Sequence, residues 1–134
     1  MIKIQKRTFN IESEIKSIKD TYNNVGAVST FISYVRDINQ NKKVKSIDLE
    51  VYPKMAKKYL NDLCKKVKKK WAIEDILIIH RFGKLKINEK IVLVAVFSMH
   101  RNEGIKACTF IMNFLKKDAP FWKKEQYAKK TNWL

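Results

Sequence analysis

A chain of 134 residues with 46% hydrophobic and 11% aromatic residues, but only three Gly and two Pro, is one ordinary domain in length. That composition excludes a disordered, collagenous or low-complexity polymer, and such a chain can bury roughly two-thirds of its unfolded surface without a disulfide or metal staple. The formal net charge of +16 points to a negatively charged partner, yet only Arg7, Arg36, Arg81 and Arg101 are arginine and the other cations are lysine. Lys-, Ile- and Asn-rich usage can be the habit of a whole proteome, so the four arginines say more than the raw charge.

In chain order, residues 2–4 fit a short strand. Asn10 is a suitable N-cap for a helix over 11–20, where Ile11, Ile15 and Ile18 fall at helical spacing. Residues 25–36 are β-branched and aromatic and predict a strand. After a turn at Asn39-Gln-Asn-Lys-Lys, residues 44–52 alternate Ile47, Leu49 and Val51 with Ser46, Asp48 and Glu50, which gives one buried and one wet face. The two strands are expected to pair as a hairpin.

Pro53 suits the first position of a helix over 53–70. Met55, Ala56, Tyr59, Leu60, Leu63, Cys64, Val67 and Trp71 form its apolar stripe, and lysines cover the rest. Strands follow at 73–81 and 90–99, joined through Gly83 and Asn88. A second amphipathic helix runs from about 102 to 117 with Ile105, Cys108, Ile111, Met112 and Leu115 inward, and Ala119-Pro120 stops it. The tail from 121 to 134 is aromatic enough to dock on the body. Hairpins rather than regular β-α alternation argue for an α+β fold.

Cys64 and Cys108 sit on apolar helix stripes, with no Cys-x-x-Cys and no His at zinc spacing, so they read as core residues. Charges near the N-terminus occupy the place of a signal peptide's apolar stretch, and the uncharged run after Lys90 is about half a membrane span. The expectation is a single cytoplasmic domain, 1–134, without metal or other cofactor.

Two strands end in His-Arg, as His80-Arg81 and His100-Arg101, and such a pair at a strand end suits anion binding as well as it suits a satisfied surface. Nothing in the sequence chooses between the pairs. The lysine face of the 53–70 helix reads either as a solvated face or as a grip for a polyanion; no aromatics interleave with it in sequence, as base stacking would require. Lys116 and Lys117 close the second long helix, where cations complement the dipole. Lys123, beside Phe121-Trp122, could be partly desolvated, an environment that suits base chemistry.

Several blocks resemble the catalytic large subunit family of molybdopterin synthase. They are Gly26-Ala-Val…Phe31…Val35-Arg36, Leu49-Glu50-x-Tyr52-Pro53-x-Met55, Ile79-His80-Arg81-x-Gly83-x-Leu85, Ser98-Met-His-Arg-Asn, and Phe110 through Glu125 with its Leu-Lys-x-x-Ala-Pro-Phe-Trp-Lys core. The resemblance implies an α/β-hammerhead fold and a homodimer that binds a small ubiquitin-like sulfur-carrier subunit at each end, giving a heterotetramer. It implies sulfur transfer from the carrier's C-terminal Gly-Gly thiocarboxylate to cyclic pyranopterin monophosphate, which forms the dithiolene of molybdopterin. Matched residue by residue, the family's pocket falls on Phe31, Arg36, His100 and Arg101 as substrate-binding residues and on Lys116 and Lys123 as catalytic ones. The chain departs from the pattern at Ser33, Lys54 and Asn132 and ends at Leu134, which bears on any tail contribution to a neighbouring pocket. A small basic nucleic-acid-binding protein is the alternative that the charge suggests, although no RNA-binding signature is present.

Overall fold

The structure, a computed structural model, describes the backbone of residues 1–39, 42–117, 121–127 and 131–133, and the side chains of 1–37, 43–117 and 121. The Gln40-Asn41 part of the expected turn, the Ala119-Pro120 stop, Leu134 and the side chains of Trp122, Lys123, Tyr127, Asn132 and Trp133 lie outside the described residues.

Among the described residues, two sheets and three helices make an α+β architecture. The first sheet has the order β1(Ile2–Gln5), β5(Asp75–Arg81), β7(Lys90–Ser98), β2(Ala27–Tyr34), with β1 parallel to β5 and the other pairs antiparallel. Its two central strands are almost continuously apolar because both of their faces are covered. On one face, Ile76, Ile78, Val92, Val94 and Val96 meet Leu60, Leu63 and Val67 of α2(Pro53–Lys70) and Ala107 and Ile111 of α3(Arg101–Lys117). On the other, Leu77, Ile79, Leu93, Ala95 and Phe97 meet Phe9 and Ile18, the latter on α1(Ile11–Lys19). Asn10 caps α1 as expected, its side chain accepting from the Ser13 N–H.

The second sheet is built on β4(Lys42–Val51), which pairs with β3(Ile38–Asn39), β6(Gly83–Lys86) and β8(Phe121–Tyr127); β8 in turn pairs with β9(Thr131–Trp133). The tail therefore docks as strand. The expected hairpin between 25–36 and 44–52 does not form. β2 pairs with β7 along its length, because Phe31 and Ile32 each need a core on their own face of the first sheet. β4 turns back only on the two-residue β3 and crosses into the second sheet.

Two side chains expected inward point outward: Met55 is 57% and Ile105 53% exposed. For α3 the reason is close packing through small residues. A Cβ at Gly104 would lie 2.6 Å from Ser98 Oγ and 2.8 Å from Ser29 Oγ, so Gly104 and Ala107 face the sheet and Ile105 turns away from it. Among the described residues, no helix is long and apolar enough to cross a membrane.

Candidate anion-binding site

The register of β2 on β7 decides where the sequence-predicted site residues go. Ala27 lies opposite Ser98 and Tyr34 opposite Lys90. His100 and Arg101 follow one end of this ladder and Arg36 follows the other, about 25 Å away along eight strand residues. Phe31 sits between, opposite Val94, half-buried against the core shared with α2 and α3. α3 starts beside Ser98 and packs back across β7 and β2, so Lys116, exposed in its last turn, returns to the Arg36 end. One chain thus holds Arg36 and Lys116 at one end and His100-Arg101 at the other, not all in one pocket.

The His100 end is tightly made. Gly26 donates its N–H to the Ser98 carbonyl at 2.9 Å, and any Cβ there would lie 2.4 Å from the Met99 carbonyl oxygen. The Ser98 hydroxyl, fully buried, donates to the His100 carbonyl at 2.7 Å. With the main chain pinned in this way, the His100 and Arg101 side chains project from the fold, both exposed. A cavity of about 210 Å³ beside them is lined by Ala72, Ile73, Glu74, Met99, His100 and Glu103.

At the other end, buried Val35 fixes the main chain before Arg36. Its N–H donates to the Glu89 carbonyl at 3.0 Å, and its carbonyl accepts from the Asn88 N–H at 2.9 Å. Asn88 adopts φ 70°, a left-handed conformation that asparagine tolerates in a turn. The Lys123 main chain lies on β8 opposite Leu49.

The structure also separates the two His-Arg pairs. His80 and Arg81 are 7% and 5% exposed, with Nδ1 of the first and Nε and Nη1 of the second bonded internally, so they do not form a surface anion site. The His80 ring stacks on Phe121 with centroids 3.6 Å apart, and its Nδ1–H donates to the Arg81 carbonyl at 2.8 Å, since a carbonyl can only accept. Burial pushes the imidazole down to about 4, so it is neutral near pH 7.

Cys64 and Cys108 are buried, and burial pushes both thiols up to about 11, which keeps them from being thiolates at neutral pH. The lysine face of α2 corrects an expectation. Aromatics do lie against it, Trp71 from the end of α2 itself and Phe110 and Phe114 from α3: Lys70 Nζ lies 4.9 Å from the Trp71 ring and 5.1 Å from that of Phe110, and Lys66 Nζ lies 5.8 Å from that of Phe114. These half-buried rings pack on one another, and the protein's own lysines lie over them.

Residues 4–118 match the family described as MoaE protein. The chain belongs to the MoaE family. A relative from Ralstonia nicotianae named "Molybdopterin synthase catalytic subunit" is 44% identical over 133 residues, covering 99% of this chain and 76% of the relative. The crystal structure of molybdopterin synthase from Staphylococcus aureus superposes with a TM-score of 0.89 at 30% identity, over 98% of this chain and 95% of that one. A MoaE protein from Burkholderia ambifaria gives 0.87 at 34% identity, over 100% and 88%.

In this MoaE-family chain, sequence reasoning missed the parts that hold the site rather than line it. Gly26 acts through its backbone and Ser98 through both its carbonyl and its buried hydroxyl, and no spacing rule marks either. Two exposed apolar side chains lie near His100: Met99, 50% exposed at the end of the expected 90–99 strand, and Ile105, 53% exposed, which a helical stripe assigns to the core.

Proposed function

We propose that this chain is the catalytic subunit of molybdopterin synthase. It moves sulfur from the C-terminal thiocarboxylate of a small ubiquitin-like carrier onto cyclic pyranopterin monophosphate, forming the molybdopterin dithiolene. Family membership over residues 4–118 supports this reading, and the observation that carries its chemistry is the exposed cationic groups at the two ends of α3. Both reactants are anions, and bringing them together needs fixed positive charge held in place before the reaction. Arg36 and Arg101 are fork donors matched to phosphate or carboxylate, and His100 donates to phosphate or moves a proton. Phe31 packs beside the bound pterin. Lys116 acts as base or as the amine that takes the carrier's acyl carbon when the carbon–sulfur bond breaks, and Lys123 supports it. The partner brings the sulfur, so neither buried thiol is required.

The working unit is a homodimer within a heterotetramer, in the cytoplasm, with residues 1–134 acting as one domain. On α3, Arg101, Ile105, Met112 and Lys116 share one stripe, with Arg101 and Lys116 about 22 Å apart. Two copies packed antiparallel along this stripe about a two-fold axis set Arg101 of each against Lys116 of the other and cover Met99 and Ile105. Each such dimer then has two complete sites.

The reading is tested by reconstitution with thiocarboxylated carrier and cyclic pyranopterin monophosphate. The expected result is molybdopterin formed as thiocarboxylate is consumed. Binding of both substrates with no dithiolene formed would contradict it.

A further inference from the structure

We propose that His80-Arg81, left without a role in substrate binding, is the positioning pair of this site: from opposite faces of β5 it fixes the two segments that carry Arg36 and Lys123. This rests on the function proposed above. Adjacent strand residues point to opposite faces, so one dipeptide can brace two separate segments.

On one face, Arg81 Nε–H donates to the Lys6 carbonyl at 3.0 Å, and Nη1 donates to the Lys90 carbonyl at 2.9 Å and to Glu89 Oε1 at 3.2 Å. The other Glu89 oxygen accepts from the Lys86 N–H at 2.6 Å. This closes the turn between β6 and β7, and the same turn holds Val35 from both sides through Asn88 N–H and the Glu89 carbonyl. Arg36 is the next residue. The route from Arg81 to Arg36 is therefore a continuous run of hydrogen bonds ending one residue away.

On the other face, the His80 ring lies nearly parallel to that of Phe121, with an interplanar angle of 11°. Phe121 is the first residue of β8, and Lys123 is two residues further, about 7 Å along the strand. Since β8 pairs with β4 of the second sheet, this stack is a tie between the two sheets at the start of the lysine-bearing strand. The Nδ1–H bond to the Arg81 carbonyl sets the plane of the ring, so the two braces share one anchor. His100-Arg101, the same dipeptide in the open, keeps the anion-binding task.

The test compares His80→Leu, His80→Phe and Arg81→Lys in the heterotetramer, reading steady-state kinetics together with amide hydrogen exchange. Leucine removes the flat ring and phenylalanine keeps it; lysine keeps the charge at 81 but loses the fork. His80→Leu should lower kcat about tenfold to a hundredfold with carrier affinity unchanged, and speed exchange within Phe121–Tyr127. His80→Phe should restore most of both. Arg81→Lys should instead raise KM for the pterin and speed exchange at Val35 and Asn88. Folded variants with parental kinetics, or with exchange raised evenly over the whole chain, would overturn the proposal. If His80→Leu does not fold, Phe121→Leu removes the same stack from the other side and is read in the same way. Should the parental protein transfer no sulfur, the functional reading fails, and segment-specific exchange alone decides the positioning role.

Discussion

Lys116 sits at the exposed last turn of α3, where a long side chain can leave the helix and reach a substrate. Arginine there keeps the charge but cannot give up its proton at working pH, so it separates charge from acid–base or nucleophilic work. Lys116→Arg should be slower by on the order of a hundredfold, nearly as inactive as Lys116→Ala, with carrier and pterin binding little changed. Retention of most activity would reduce the lysine to an electrostatic clamp. The thiols make the opposite prediction: the Cys64→Ala, Cys108→Ala double variant should fold less stably, through lost packing, and still transfer sulfur. A folded double variant without transfer would contradict a carrier-borne sulfur. His80 adds a pH dependence to stability. Its folded pKa of about 4 lies below the ordinary 6.5, so the unfolded chain binds the extra proton first. Its contribution is complete above pH 6.5 and is lost as pH falls toward 4, by on the order of 3 kcal/mol at most. Denaturant unfolding of parental protein and His80→Phe across that window should show a steeper loss in the parent, the difference being the His80 contribution over the slope that Asp20, Asp75 and Glu89 give to both.

At the scale of elements, the Met99–His100 main chain is set by a glycine with no room to spare. Gly26→Ala puts a Cβ against a backbone oxygen that must move, and it should cost about 1–3 kcal/mol and reduce turnover by displacing His100. Thermal unfolding and reconstituted transfer, measured together, check both effects. Much of the secondary structure was legible in the sequence for local reasons: Asn10 and Pro53 mark helix starts, and the 3.6-residue stripe of α2 needs no tertiary information. What was not legible depended on pairing between distant segments. The run 25–36 has the same β-branched composition whichever strand it pairs with, so β7 rather than β4 as its neighbour had no local signal. β6 is four residues between Phe82 and the turn at Ile87-Asn88, and it joins the second sheet only because β4 lies alongside. Ile105 fits an inward stripe until Gly104 brings α3 close to the sheet. The residue types proposed for the site come from resemblance, and their geometry had no sequence signal: His80-Arg81 and His100-Arg101 look alike in sequence and differ wholly in burial.

For the whole molecule, a net charge of +16 gives an acidic carrier a long-range attraction that salt screens beyond about 10 Å at 0.1 M. Association with the carrier should slow steeply as salt rises through the physiological range; a flat rate would mean that the lysines are background composition. The larger feature is the division of cations between the two ends of α3, which one chain cannot close into a single pocket. If the dimer closes it, His100→Ala and Lys116→Ala damage different halves of each shared site. A mixed dimer then contains one site carrying both defects and one carrying neither. Each variant alone should be nearly inactive in the reconstituted reaction. Subunits of the two, co-expressed and assembled at random with carrier, should recover about a quarter of parental activity, since half the dimers are mixed and each has one intact site. Recovery to that level supports a site built from two copies, and a mixture no more active than the separate variants would contradict it.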